Sequence, residues 1–135
     1  MTTKKILILE DDLRTVGKLI TSFSELEERL INDSNTDIAV TVLNNYRQVT
    51  EYLNSSIDPD FDAILLDRDC KLGGSFHALD FNKFVANRII GISAIPEYNE
   101  DLKRVGVSKL ILKDHEDLDS FVLKVTNTIE YMLLN

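Results

Sequence analysis

Five short apolar runs recur along the chain, and a longer segment with a different periodicity follows each of them. The runs are KKILILE (4–10), DIAVTVL (37–43), FDAILLD (61–67), IIGISA (89–94) and KLILK (109–113). Several of them are continuous rather than alternating, which is typical of strands in a parallel sheet that is covered on both faces. The sequence therefore predicts the α/β class, with a doubly wound, five-stranded parallel sheet of the flavodoxin type.

The segments between the runs carry apolar residues at steps of three and four, which is the spacing of an amphipathic helix. A long helix is predicted from Leu13 and a short one around positions 46 to 53. A third helix is predicted over 75–88, and a fourth over 96–105, beginning with a proline that favours the first helical position. The last segment predicts the clearest helix, with Asp114 as its N-cap.

Length and composition limit the function classes. A chain of 135 residues fits one domain, so we expect a single domain over 1–135 with no output domain. The formal charge of −8 argues against nucleic acid as a partner, and no apolar run is long enough to span a bilayer. Cys70 is the only cysteine, which excludes an internal disulfide and makes a cytoplasmic location the default.

Polar residues stand where four of the apolar runs end. They are Glu10, Asp11 and Asp12; Asp67, with Asp69 close behind; Ser93, which Ala94 follows; and Lys113. Because the carboxyl ends of parallel strands lie at one edge of a sheet, we expect these residues to gather there. Acids from two strands suit Mg²⁺, and a carboxylate beside such a cation can act as a nucleophile that forms an acyl phosphate.

In this order along the chain, these residues resemble the receiver domain of two-component response regulators, the CheY-like superfamily. The resemblance covers essentially the whole chain and implies a (βα)5 fold with strand order 2-1-3-4-5. It implies that Asp67 is the phospho-acceptor, that Ser93, Ala94 and Lys113 contact the phosphoryl group, and that Glu10 and Asp11 are the acid pair with Asp12 as an additional acid. Mg²⁺ would be held by Asp11, Asp67 and the Asp69 carbonyl, with Glu10 acting through water.

The resemblance also implies partners. A histidine kinase or a phosphotransfer protein would supply the phosphoryl group, and a downstream protein would bind the face formed by the fourth helix, fifth strand and last helix. A homodimer through that same face is a further expectation. The domain would not be an enzyme, beyond phosphorylating itself from acyl phosphates and removing its own phosphoryl group.

Some positions depart from the receiver pattern. Asp114 follows Lys113, where the family has a proline and often a cis peptide bond, so we expect a trans bond here. Leu110 stands where an aromatic switch residue is usual, and Lys71 stands where a proline is usual. Tyr98, on the predicted fourth helix, is expected to be an exposed residue rather than a replacement for that switch.

Two other functions remain open at this point. The fold could serve as an unphosphorylated docking module, with the acids of the strand ends simply solvated. LLDRDCKLGG (65–74) also resembles the first motif of haloacid-dehalogenase-like phosphatases. Those enzymes need a further acid pair on a strand after the lysine, and only one helix is predicted after Lys113.

Overall fold

A computed structural model describes residues 1–55, 60–68 and 73–135. At its centre lies a sheet of five parallel strands, in the order β2-β1-β3-β4-β5. The strands are β1 (Thr2–Leu9), β2 (Thr36–Leu43), β3 (Ala63–Asp67), β4 (Ile89–Ser93) and β5 (Lys109–Leu112). The predicted fold class, the parallel arrangement and the strand order are therefore confirmed.

In the described part of the chain, three α-helices accompany the sheet: α1 (Leu13–Ser34), α2 (Pro96–Arg104) and α3 (Leu118–Leu134). The first and last pack side by side on one face of the sheet, where their apolar residues form a single cluster with β1, β3 and β4. Exposed ion pairs also join them, Lys18 to Asp119 at 2.7 Å and Arg29 to Glu130 at 3.3 Å. Such pairs contribute little, so apolar burial holds this layer. Within the described residues, no helix is both long and apolar enough to cross a membrane.

The opposite face is covered differently from the prediction. Between β2 and β4, the described residues form a π-helix, Val49–Leu53, and two 3₁₀ turns, Phe76–Ala78 and Ala86–Arg88. The short helix predicted near 46–53 is therefore present, as a π-helix over these residues, whereas the helix predicted over 75–88 is wrong. Phe76 and Leu79 are three residues apart, which suits a 3₁₀ turn as well as an α-helix. The buried apolar side chains of the segment still reach the sheet: Phe76, Leu79 and Phe84 are each at most 2% exposed.

The side chain of Asn54 joins these turns by hydrogen bonds. The amide nitrogen of Asn54 donates to the carbonyl of Ala78 at 2.8 Å, and its amide oxygen accepts from the N–H of Asp80 at 2.9 Å. The backbone carbonyl of Asn54 also accepts from the ammonium of Lys83 at 2.5 Å. Turns leave many backbone groups without the partners that a helix provides, and Asn54 supplies some of them. It thereby joins the turn after β2 to the turn after β3.

The last helix begins later than predicted. Asp117, not Asp114, is the N-cap of α3, and its carboxylate accepts from the N–H of Ser120 at 3.1 Å. The Asp114 carboxylate instead accepts from the N–H groups of Glu116 and Asp117, at 3.0 and 3.3 Å, and forms a separate turn. The described residues contain no cis peptide bond, so the expected trans bond between Lys113 and Asp114 is confirmed.

One of the two edge strands of the sheet is β2, which pairs with β1. Most of its residues are uncharged, and Ala39, Val40 and Thr41 are exposed. Near the start of the strand, the backbone N–H of Ile38 donates to the carboxylate of Glu27 at 2.8 Å. Glu27 lies on α1, so a helix side chain closes part of the edge that another strand would otherwise occupy.

Gly74 provides a test of the turn after β3. Its φ is +88°, and a Cβ atom there would lie 2.5 Å from Cζ of Tyr46 and closer still to two other carbons of the ring. We expect Gly74→Ala to lower the free energy of unfolding by about 2–3 kcal/mol, because the turn strain and the steric clash add together. Gly73 is the matched control: its φ is +95°, but no atom of the described residues lies within 4 Å of a Cβ atom there. Gly73→Ala should lower the free energy of unfolding, measured with urea, by only about 1 kcal/mol. Equal losses in the two variants would contradict the packing of Gly74 against Tyr46.

Candidate functional site

Four neighbouring strands end at one edge of the sheet, and the polar residues predicted at their ends meet there. Glu10 and Asp11 directly follow β1, Asp67 ends β3, Ser93 ends β4, and Lys113 directly follows β5. A cavity of about 530 Å³ opens at this edge. Its walls include Asp11, Asp12, Asp67, Ser93, Ala94 and Lys113. Glu10 lies behind it and is fully buried.

Three carboxylates form a cluster in the site. Glu10, Asp11 and Asp67 each offer an oxygen, and these oxygens all lie within 4.8 Å of one another. Such a set of oxygen donors suits a hard cation such as Mg²⁺, which takes one or two carboxylates and keeps several waters. These residues therefore fit the predicted metal. The Asp69 carbonyl, the remaining predicted ligand, lies outside the described residues.

A buried lysine neutralises part of this negative charge. The ammonium of Lys113 donates to one carboxylate oxygen of Glu10 and lies 3.8 Å from Oδ2 of Asp67. The backbone N–H of Lys113 donates to the carbonyl of Ser93 at 2.7 Å, which fixes the end of β5 against the end of β4. The side chain of Lys113 is 5% exposed, so its charge acts on these carboxylates with little screening by water.

Asp67 does not ionise as readily as an ordinary aspartate. Burial, followed by the nearby charge of Glu10 and a hydrogen bond with Glu10, raises the pKa of the carboxyl from 3.8 to about 8. The ammonium of Lys113 and the N–H of Arg68, which donates to Oδ1 of Asp67 at 3.0 Å, act in the opposite direction. A cation in the site would favour the ionised carboxylate that nucleophilic attack requires.

The other predicted site residues are placed as follows. Oδ2 of Asp12 accepts from the N–H of Thr15 at 3.3 Å and from its hydroxyl at 2.5 Å, so Asp12 is the N-cap of α1 as well as part of the cavity wall. The hydroxyl oxygen of Ser93 is buried and accepts from the N–H of Ile95 at 3.0 Å. A hydroxyl in that position still has a hydrogen to donate to an oxygen in the cavity. Ala94 is exposed at the mouth.

Sequence reasoning missed one contact beside the site. Tyr98 was expected to be exposed, but it is half-buried and lines the cavity. The guanidinium carbon of Arg68 lies 3.9 Å from the centre of its ring, within the range of a cation–π interaction. Arg68 follows Asp67 directly in the sequence, but only the position of α2 brings it to Tyr98. Arg14, Ile95, His115 and Leu118 complete the cavity wall and were not predicted either.

No protein-family profile and no curated protein matches the chain. Among solved structures, it is similar to the phosphorylated cyanobacterial phytochrome response regulator RcpA, with a TM-score of 0.74 over 98% of this chain and 95% of that chain, at 17% identity. The chain has the receiver-domain fold. A second similar structure, a fusion that carries amino acids 181–211 of the yeast Spc42 trimeric coiled coil, gives a TM-score of 0.59 at 19% identity over 97% of this chain and 84% of that chain.

The residues that depart from the receiver pattern can now be placed. Leu110, which stands where that pattern usually has an aromatic residue, is half-buried on β5 and packs with the apolar cluster on the α2 side of the sheet. A Cβ atom at Gly91 would lie 2.8 Å from Leu110 and 2.5 Å from Leu102 of α2. Leu110 therefore fills the space over Gly91. Lys71 and Cys70 lie outside the described residues.

Proposed function

We propose that this chain is a phosphoryl-accepting receiver in two-component signalling. The observation that carries the proposal is the convergence of Glu10, Asp11, Asp67 and Lys113 from three strand ends beside one cavity, together with Ser93 from a fourth. A histidine kinase or a phosphotransfer protein would donate the phosphoryl group. A downstream protein would read the result by binding the face that α2, β5 and α3 form.

The transfer would be a single displacement at phosphorus. One oxygen of Asp67 forms a bond to phosphorus, while the bond from phosphorus to the donor's nitrogen or oxygen breaks and the leaving group takes up a proton. The ammonium of Lys113, at 3.8 Å from Asp67, is close enough to balance charge on the phosphoryl oxygens. The hydroxyl of Ser93 would donate to another of these oxygens.

The proposed cofactor is Mg²⁺, which when bound supplies positive charge to the transferring phosphoryl group. Asp11, Asp67 and the carbonyl of Asp69 would hold it, and Glu10 would act through water. Asp11 is part of the cavity wall, and Glu10 is fully buried behind it with an oxygen already bonded to Lys113. Glu10 is therefore placed to orient Lys113 as well as to support the metal.

The phosphatase alternative has less support. The acid pair that it needs would stand on a strand after the lysine. In the part of the chain that the structure describes, α3 follows Lys113 and no strand does. A phosphatase would also leave the burial of Glu10 beside Lys113 without a role.

Phosphorylation of Asp67 can be tested directly. The purified protein is incubated with Mg²⁺ and acetyl phosphate, a small acyl-phosphate donor, and its intact mass is measured. We expect the wild type to gain the mass of one phosphoryl group and Asp67→Asn to gain none, since an amide is not a nucleophile toward phosphorus. Chelation of the divalent cation should lower the yield of the adduct at least about tenfold, because the electrostatic stabilisation of the transferring group is removed.

The matched control is Asp33→Asn, which removes an exposed acid of α1 and should leave the adduct unchanged. An adduct on Asp67→Asn of the same yield would place the phosphoryl group elsewhere. No adduct on the wild type would refute the proposal and favour the docking module, whereas steady release of phosphate from a phosphomonoester would favour the phosphatase.

A further inference from the structure

Arg68 connects the proposed phospho-acceptor to α2. Its backbone N–H donates to Oδ1 of Asp67, while its guanidinium covers the ring of Tyr98, at 3.9 Å from the ring centre. One guanidinium nitrogen lies 3.9 Å from Oδ2 of Asp101, one helical turn further along α2. The same residue thus contacts the reactive carboxylate with its backbone and the helix with its side chain.

The rest of α2 is docked weakly. Only Asn99 and Leu102 are buried among its nine residues. The side-chain oxygen of Asn99 is buried and has no hydrogen-bond partner in the described residues, which costs docking energy rather than providing it. Leu102 is the one large apolar side chain that fixes the helix to the sheet. The contacts of Arg68 with Tyr98 and Asp101 are therefore a substantial part of what holds the first turns of α2.

Phosphorylation would change what this guanidinium faces. A phosphoryl group on Asp67 carries up to about two negative charges and three acceptor oxygens, directly beside Arg68. Guanidinium groups bind such oxygens through paired hydrogen bonds, which are stronger than stacking on a ring. Asp101 would keep a cation if Arg68 left, because Arg104 lies 3.4 Å from its other oxygen. The exchange therefore leaves Asp101 with a cationic partner.

We propose that Arg68 reports the phosphorylation of Asp67 to α2. In the unmodified protein Arg68 clamps Tyr98 and Asp101; in the phosphorylated protein it turns to the phosphoryl oxygens, and the first turns of α2 loosen. This inference rests on the proposed function, because it needs phosphorylation at Asp67. In this proposal, Arg68 and Tyr98 link the phosphorylation of Asp67 to the state of α2. An aromatic residue on β5 cannot do so here, since that position is Leu110.

Hydrogen exchange of the α2 amides, followed by mass spectrometry, tests both states. Phosphorylation of the wild type should speed exchange over 96–104 about fivefold to tenfold, as a lost cation–π contact opens the helix more often. Arg68→Ala should show this faster exchange before phosphorylation and no further rise after it. Tyr98→Leu should behave like Arg68→Ala, whereas Tyr98→Phe retains the ring and should behave like the wild type.

Lys103→Ala is the matched control, since it removes an exposed cation that pairs with Glu100 rather than Asp101 on the same helix, and it should leave the response to phosphorylation intact. The intact mass of each sample gives its phosphoryl content. An unmodified wild type after treatment overturns the proposed function and the inference together. A phosphorylated Arg68→Ala whose α2 exchange still rises as in the wild type overturns the inference alone. If α2 of the unmodified Arg68→Ala variant exchanges as slowly as α2 of the unmodified wild type, the inference is also overturned, because Arg68 then does not hold α2 in place.

Discussion

Lys113→Met lowers the free energy of unfolding by about 3–5 kcal/mol at pH 7 in metal-free buffer, because it leaves a buried charge without its partner. The ammonium of Lys113 bonds to Glu10, a residue with no exposed surface. Methionine has a similar length, so the space that the side chain fills is largely kept and the charge is what changes. The measurement is urea unfolding, with the slope compared between variants to check that the folded state stays compact.

A second substitution separates the charge effect from a packing effect. Glu10→Gln in the Lys113→Met background removes the carboxylate that the first change left unpaired, and we expect it to recover at least about 2 kcal/mol of the loss. Lys124→Met, at an exposed position of α3, is the control and should change stability by less than about 0.5 kcal/mol. If the double variant is no more stable than Lys113→Met, the loss comes from packing and the ion pair is not its cause.

Asp67→Asn makes the metal-free protein more stable, and the gain grows as the pH rises. The pKa of an ordinary aspartate, as in the unfolded chain, is 3.8, and the pKa of Asp67 in the folded protein is about 8. Between these values the folded protein keeps a proton that the unfolded chain has released, so a rise in pH favours the unfolded chain. Asparagine cannot ionise and escapes this penalty. The shift sets a ceiling of about 6 kcal/mol, and we expect about 2–4 because water and cations reach the cavity.

The measurement is the melting temperature of both proteins from pH 4 to pH 9 with a chelator present. The two should differ least near pH 4, where the unfolded chain has released only about half of this proton, and diverge up to about pH 8, above which the difference is constant. Asp33→Asn, at an exposed acid, should follow the wild type throughout. Added Mg²⁺ should narrow the difference, since a cation supports the ionised Asp67. A gain that is as large at pH 4 as at pH 8 would assign the effect to something other than ionisation.

The strands and the site edge could be predicted because their signals are local and strong. Continuous apolar runs mark buried parallel strands, and the residue after each run is at the carboxyl edge by geometry alone. Asp67, Ser93 and Lys113 therefore meet at the edge where their strands predicted them. Lys113 also lies beside Glu10, although the strands that these two residues follow, β5 and β1, are separated by β3 and β4 in the sheet.

The covering layer could not be predicted in the same way. Phe76 and Leu79 have a spacing that both an α-helix and a 3₁₀ turn satisfy, and the side chain of Asp80 then accepts from the N–H of Asn82, which competes with helix formation. The partner that makes such turns stable, Asn54, is more than twenty residues away in the sequence. The cap of α3 shows the same limit: Asp114 and Asp117 are both good caps, and only the turn after Lys113 decides between them.

The Glu27 carboxylate at the β2 edge of the sheet affects whether a second molecule can add a strand there. A long outer strand without lysine or proline, such as β2, is a template on which another chain can add a strand and begin a fibril. A strand arriving from a second molecule would first have to displace Glu27 from the N–H of Ile38 and leave that negative charge facing its own backbone carbonyls. A glutamate on α1 thus opposes the addition of a sixth strand at this edge, because the incoming strand would meet both an occupied N–H and a negative charge.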